Sequence, residues 1–199
     1  MRKVTRLKAL SRRAAARVIL RWALYSAALL ALYVFLSNPP IRGWCPLAII
    51  PLATAVAMFE GDLAAGIFGA FCGLMIDMAS ASSAAGFYAL WLLCACPVIS
   101  LLSRFWVKAN AVSHFVINAA VCVIIGALDL VFLHWVWEGA QCGISFVSVI
   151  LPAYGGGILF SVPIYLLVSF IVKKLRPDER RKLEESARSA EDSENKESE

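Results

Sequence analysis

Charge is scarce where most of this chain lies. Between Trp22 and Val172 only eight Asp, Glu, Lys or Arg side chains occur, although the 199 residues include 19 basic and 14 acidic ones. A soluble domain needs a charged surface, so this deficit excludes a globular protein in water over that stretch. Histidine is equally sparse. His114 and His134 stand 20 residues apart with no cysteine pair beside them, which leaves no zinc-like spacing. The six cysteines, at 45, 72, 94, 96, 122 and 142, form no C-x-x-C, and most lie in apolar runs, where the thiol behaves as a small hydrophobe. P-loop, H-E-x-x-H and G-x-S-x-G patterns are absent. The serines at 80, 82 and 83 have no His or Lys beside them to activate a hydroxyl. The expectation is a non-enzymatic protein with no catalytic residue, metal or cofactor.

What fills the chain instead is apolar. Hydrophobic residues make up 60% and the mean hydropathy is +0.74. Six segments read as spans of a bilayer: Trp22–Ser37 extended by Val18–Leu20, Trp44–Phe59, Asp62–Ala79, Phe87–Ser103, Ala111–Trp137 and Phe146–Val172. The second is short and carries Pro46 and Pro51, so it is expected either to tilt little or to be partly shielded by protein. The last holds Pro152, Gly155-Gly156-Gly157 and Pro163, and is expected to kink or break. Trp135 and Trp137 fall where an aromatic belt would sit. Eight basic residues and no acid precede Trp22, two more lie between spans four and five, and eight follow span six, leaving only Arg42 on the other side. Orientation by the positive-inside rule puts both termini in the cytoplasm.

The predicted fold class is therefore all-α and integral to the membrane: a compact bundle of six transmembrane helices. A basic segment (1–21), also readable as a helix on the cytoplasmic leaflet, precedes the membrane domain (22–174). No cleavage site follows the first apolar run, so a signal peptide is not expected. A polar tail rich in acid and serine (175–199) follows, with a marginal helix over 178–190 and disorder beyond it. The net charge of +5 flanks apolar helices, so it points to anionic lipid rather than nucleic acid.

Span three carries the most patterned face. Asp62, Gly66, Gly69, Gly73 and Asp77 recur at steps of four and three, on one side of a helix. Such a face suits close packing, either within the bundle or against a partner protein. Asp62 is placed to cap the helix start. Asp77, about 22 Å along span three, and Asp129, about 27 Å along span five, both fall near the outer end. They read either as an outer polar cavity or as caps for loop amides. His114 and Asn118, one turn apart, read as an interhelical hydrogen-bonding pair ahead of a catalytic one. Cys45 and Cys142 fall in loops on one side, and a disulfide between them is left open.

The run Gly73-Leu74-Met75-Ile76-Asp77, a short small-residue loop, and then Gly86-Phe87-Tyr88-Ala89-Leu90 resembles the bacterial rod-shape-determining MreD family, over about residues 45–175. The resemblance implies an inner-membrane, non-enzymatic component of the cell-elongation machinery that directs lateral peptidoglycan synthesis. Its implied partners are MreC and, through it, MreB and the RodA/class B penicillin-binding synthase pair. The alternative resemblance is to the substrate-binding S components of energy-coupling-factor vitamin transporters, through Ala23, Ala27 and Ala31 in span one. A small-molecule ligand is implied only in that case.

Overall fold

A computed structural model describes residues 2–37, 47–80, 86–106, 110–129, 131 and 151–175. Among these residues all regular structure is helical. In chain order the helices are α1 (Arg2–Ser37), α2 (Ile49–Phe59), α3 (Asp62–Ser80), α4 (Phe87–Phe105), α5 (Ala111–Asp129), α6 (Leu151–Leu159) and α7 (Ser161–Leu175). The 36 residues of α1 are unbroken because no glycine or proline occurs before Pro39. The basic start of the chain is thus continuous with the first apolar segment.

Four helices are long and apolar enough to cross a membrane: Ala16–Ser37 within α1, Asp62–Ala79, Phe87–Phe105 and Ala111–Asp129. The pair α6 and α7, bent by 40° between Leu159 and Ser161, adds a fifth if taken as one span. The bend falls just ahead of Pro163, which has no N–H to give the Leu159 carbonyl. The sixth expected span, 44–59, is where the structure differs. Its helix begins only at Ile49 and has 11 residues, about 16 Å of rise against a hydrocarbon core of about 30 Å. Every residue from Ile49 to Met58 is buried, so α2 is wrapped by protein, packed on α3, α4, α5 and α6. Pro51 costs it nothing, because the first turn has no helical acceptor for that N–H.

The exposed surface is apolar where that of a water-soluble protein would be charged. Along α3, Leu63, Ile67, Phe71, Leu74 and Met78 are exposed, Leu63 at 81%. Thr54, Glu60, Asp77, Ser100, His114, Asn118, Asp129 and Ser161 are buried. An apolar exterior over a core that also holds these polar side chains is stable only where the surroundings are hydrocarbon, where helix association relies on packing and hydrogen bonds rather than on hiding apolar surface. The protein is accordingly a multi-pass helical membrane protein.

The chain divides into two compact units. Tyr25–Val168 holds the glycine contact and both polar clusters described below; the other joins the part of α1 up to Leu24 with the part of α7 from Ser169. In that second unit Lys174 Nζ lies 5.8 Å from the centroid of the Phe170 ring.

Candidate functional site

The patterned face of α3 is spent on α4, the most extensive helix pair in the structure. A Cβ on Gly66 would stand 3.0 Å from Pro97 Cγ. One on Gly69 would stand 2.6 Å from both the Leu92 carbonyl oxygen and Cys96 Sγ. One on Gly73 would run into the backbone of Ala89. Only hydrogen fits at the last two positions, so the glycines let two backbones meet. Pro97 deprives the Leu93 carbonyl of its helical donor, and a Cβ on Gly66 would stand 3.5 Å from that carbonyl oxygen.

A carboxylate closes each end of this contact. Asp77 accepts the backbone N–H of Tyr88 on Oδ1 and that of Ala89 on Oδ2, both at 3.2 Å, and so caps the start of α4 from across the loop. Gly86, at φ +92°, makes the turn into α4 that an L side chain would resist. At the other end Ser100 Oγ lies 2.7 Å from Asp62 Oδ1 and 2.8 Å from the Glu60 carbonyl oxygen. The expected capping role of Asp62 needs correction. The first helical bond runs from Ala65 N to Gly61 O, so Gly61 holds the cap position. Asp62 sits one residue inside, favourably placed for the helix dipole, with its carboxylate on Ser100.

Asp129 joins the Asp77 end. Its Oδ2 accepts from the Tyr88 hydroxyl at 2.9 Å and the Tyr154 hydroxyl at 3.2 Å, and the two hydroxyls are themselves 3.2 Å apart. Tyr88 is therefore common to both carboxylates, through its backbone N–H to Asp77 and its hydroxyl to Asp129. Both carboxylates are buried and engaged by protein donors rather than lining an open surface. Gly126, one turn before Asp129, faces the Tyr154 ring, with a Cβ position 3.4 Å from it.

A second polar knot lies at the opposite end, near Glu60. Tyr25 donates to Glu60 Oε1 at 3.2 Å. Deeper in, Thr54 of α2 lies 3.1 Å from His114 Nε2 and 3.2 Å from Asn118 Oδ1, while Ser161 Oγ lies 3.0 Å from His114 Nδ1. The imidazole stacks on Tyr165, centroids 5.1 Å apart. His114 and Asn118 thus bond across helices, tying α5 to α2 and α7. Ser161 is fully buried among these groups.

Sequence reading singled out Asp62, Asp77, Asp129, His114, Asn118 and the glycines, and missed Tyr25, Thr54, Glu60, Tyr88, Ser100, Tyr154 and Ser161. The available signal was that each intramembrane carboxylate needs donors, and tyrosines within apolar helices are natural ones. Cys45, Cys142, Trp135, Trp137, the serines at 82 and 83 and the tail lie outside the described residues. No group of three or more His, Cys, Asp or Glu suited to a metal occurs among the described residues. Compared with protein-family models, curated proteins and solved structures, the chain finds no match.

Proposed function

We propose that this protein is a non-enzymatic, six-pass component of a bacterial inner membrane that serves the cell-elongation machinery as a member of the MreD type. In this role it binds MreC and, through it, MreB and the RodA/class B penicillin-binding synthase pair. The observation that carries the reading is that the residues of the resemblance act as one structural piece. Gly73 takes the backbone of Ala89, Asp77 takes the N–H groups of Tyr88 and Ala89, and Gly86 turns the chain between them. A motif that locks two helices is what a scaffold needs, and the polar side chains described above serve helix-to-helix bonds.

The six-pass arrangement with both termini cytoplasmic draws support from levels within Tyr25–Val168. Tyr25, about two-thirds of the way along α1, meets Glu60 beside the start of α3, so the chain between them returns to the level of Tyr25. Tyr165 of α7 meets Phe59 and His114 at that same level. In this reading α2, with the residues before it, completes a crossing.

A second reading, an S component of an energy-coupling-factor transporter, is favoured by one observation: Ala23, Ala27 and Ala31 are all exposed along α1. Affinity isolation of the detergent-solubilised protein separates the two. Co-purification of MreC and cell-wall synthases, with loss of rod shape on depletion, is the expected result. Recovery of an ATPase pair and a stoichiometric vitamin would overturn it.

A further inference from the structure

The knot around His114 has a hydrogen-bond ledger that does not close. The ring is held by Thr54 Oγ1, 3.1 Å from Nε2, and by Ser161 Oγ, 3.0 Å from Nδ1. A hydroxyl can donate to the ring or accept from it, so the imidazole has a partner on each nitrogen in either tautomer. Thr54 has one proton to give, and both the Pro51 carbonyl oxygen and Asn118 Oδ1 lie 3.2 Å from its hydroxyl. The Asn118 carboxamide then remains with two N–H bonds, and no acceptor among the described residues reaches Nδ2. Asn118 is wholly buried, as are Thr54, His114 and Ser161. Turning the amide over does not help. Nδ2 would then donate to Thr54, and Oδ1 would become the bare atom.

We infer that this knot binds one internal water molecule at the bare end of the Asn118 amide. The bare end is a donor in one orientation of the amide and an acceptor in the other, and a ligand able to donate and to accept serves either. Water does so, and buried waters characteristically bridge polar groups that the protein leaves unsatisfied. Thr54 supplies a hydroxyl with lone pairs beside the amide. No charged side chain bonds to Thr54, His114, Asn118 or Ser161 in the contacts described, so nothing there would neutralise a bound ion. The water would complete a polar seam joining α2, α5 and α7 at the level where α2 is wrapped by protein. This inference does not depend on the proposed cellular role.

The test is solid-state nuclear magnetic resonance on the full chain in lipid bilayers, with asparagine labelled on its side-chain nitrogen. Replacing the other asparagines (Asn38→Asp, Asn110→Asp, Asn195→Asp) leaves Asn118 as the only labelled side-chain amide. Polarisation transferred from water should reach that amide well ahead of the backbone amide of buried Ile125, recorded in parallel. A transfer no faster than at Ile125 overturns the inference. If the triple variant does not fold, the native protein labelled at all four asparagines serves. Three side-chain amides in rapid contact with water would overturn the inference, and four would support it.

Discussion

A carboxylate inside a bilayer is tolerated only in proportion to the donors that reach it, and Asp77 and Asp129 solve this differently. Asp77 takes two main-chain N–H groups that the start of α4 leaves without helical partners. Asp77→Ala should therefore lower unfolding free energy by about 1 kcal/mol, within the usual range for a lost helix cap. Asp77→Asn, which keeps one acceptor oxygen, should cost less. Denaturant titration of the purified protein in mixed micelles reads both, and equal losses would rule out the cap. Asp129 relies on phenolic hydroxyls instead. Tyr88→Phe should cost about 1.5–3 kcal/mol, the scale of a hydrogen bond to a charged group, and much less when Asp129→Asn is already present. Additive losses in that cycle would show that the two do not interact. The two aspartates were legible in the sequence because a charge in an apolar run stands out. Tyr88 and Tyr154 were not, since which tyrosine meets Asp129 depends on how helices distant in sequence fall together.

Helix α3 could be read almost whole from its spacing. Its glycine face and the opposite Leu63, Ile67, Phe71, Leu74 and Met78 face are both periodic, and the fold uses them for contact and for lipid respectively. What spacing left open was whether the glycine face meets a partner or a neighbour, and α4 occupies it. A graded series follows from the clearances. Gly66→Ala, facing the mobile ring edge of Pro97, should be nearly neutral. Gly69→Ala should cost more, and Gly73→Ala most, at or above the ~1–3 kcal/mol typical of overpacking, because it meets backbone that cannot turn aside. Thermal stability of the three variants in one detergent checks the order. A reversed ranking would mean that the helices separate more easily than their contact implies. Helix α2 was harder to read. An apolar stretch containing Pro46 and Pro51 announces a short or shielded helix, but the start at Ile49 and the burial of ten successive residues come from four surrounding helices.

At the scale of the whole molecule, the apolar exterior follows from a composition that keeps most of its charges at the two ends of the chain, and Glu60, Asp77 and Asp129 between them are buried. The distribution of Lys and Arg, 18 of 19 on one predicted side, gives the orientation to be tested. Fluorescent-protein fusions to either terminus should glow, and alkaline-phosphatase fusions at the same points should be inactive. The opposite pattern at one terminus would mean an odd number of crossings. The number of spans was less legible than their existence, because the second segment has the composition of a membrane helix and, in its helical part, about half the length.

That short second helix has a consequence for how the protein is made. Eleven residues do not give the insertion machinery enough greasy length to release α2 sideways into lipid when it emerges, and once seated its Thr54 depends on a histidine and an asparagine synthesised some 60 residues later. The hairpin of α3 and α4 can close first and offers α2 part of its seat, but the partners of Thr54 arrive only with α5. Nascent chains arrested after Phe59 should leave this segment accessible to a water-soluble thiol reagent at an engineered cysteine replacing Ala53, and chains arrested well beyond Asp129 should protect it. Protection already present in the shorter chain would mean that the segment enters the bilayer by itself. Assembly of this bundle is thus ordered by a debt incurred early in synthesis and settled only when the fifth helix arrives.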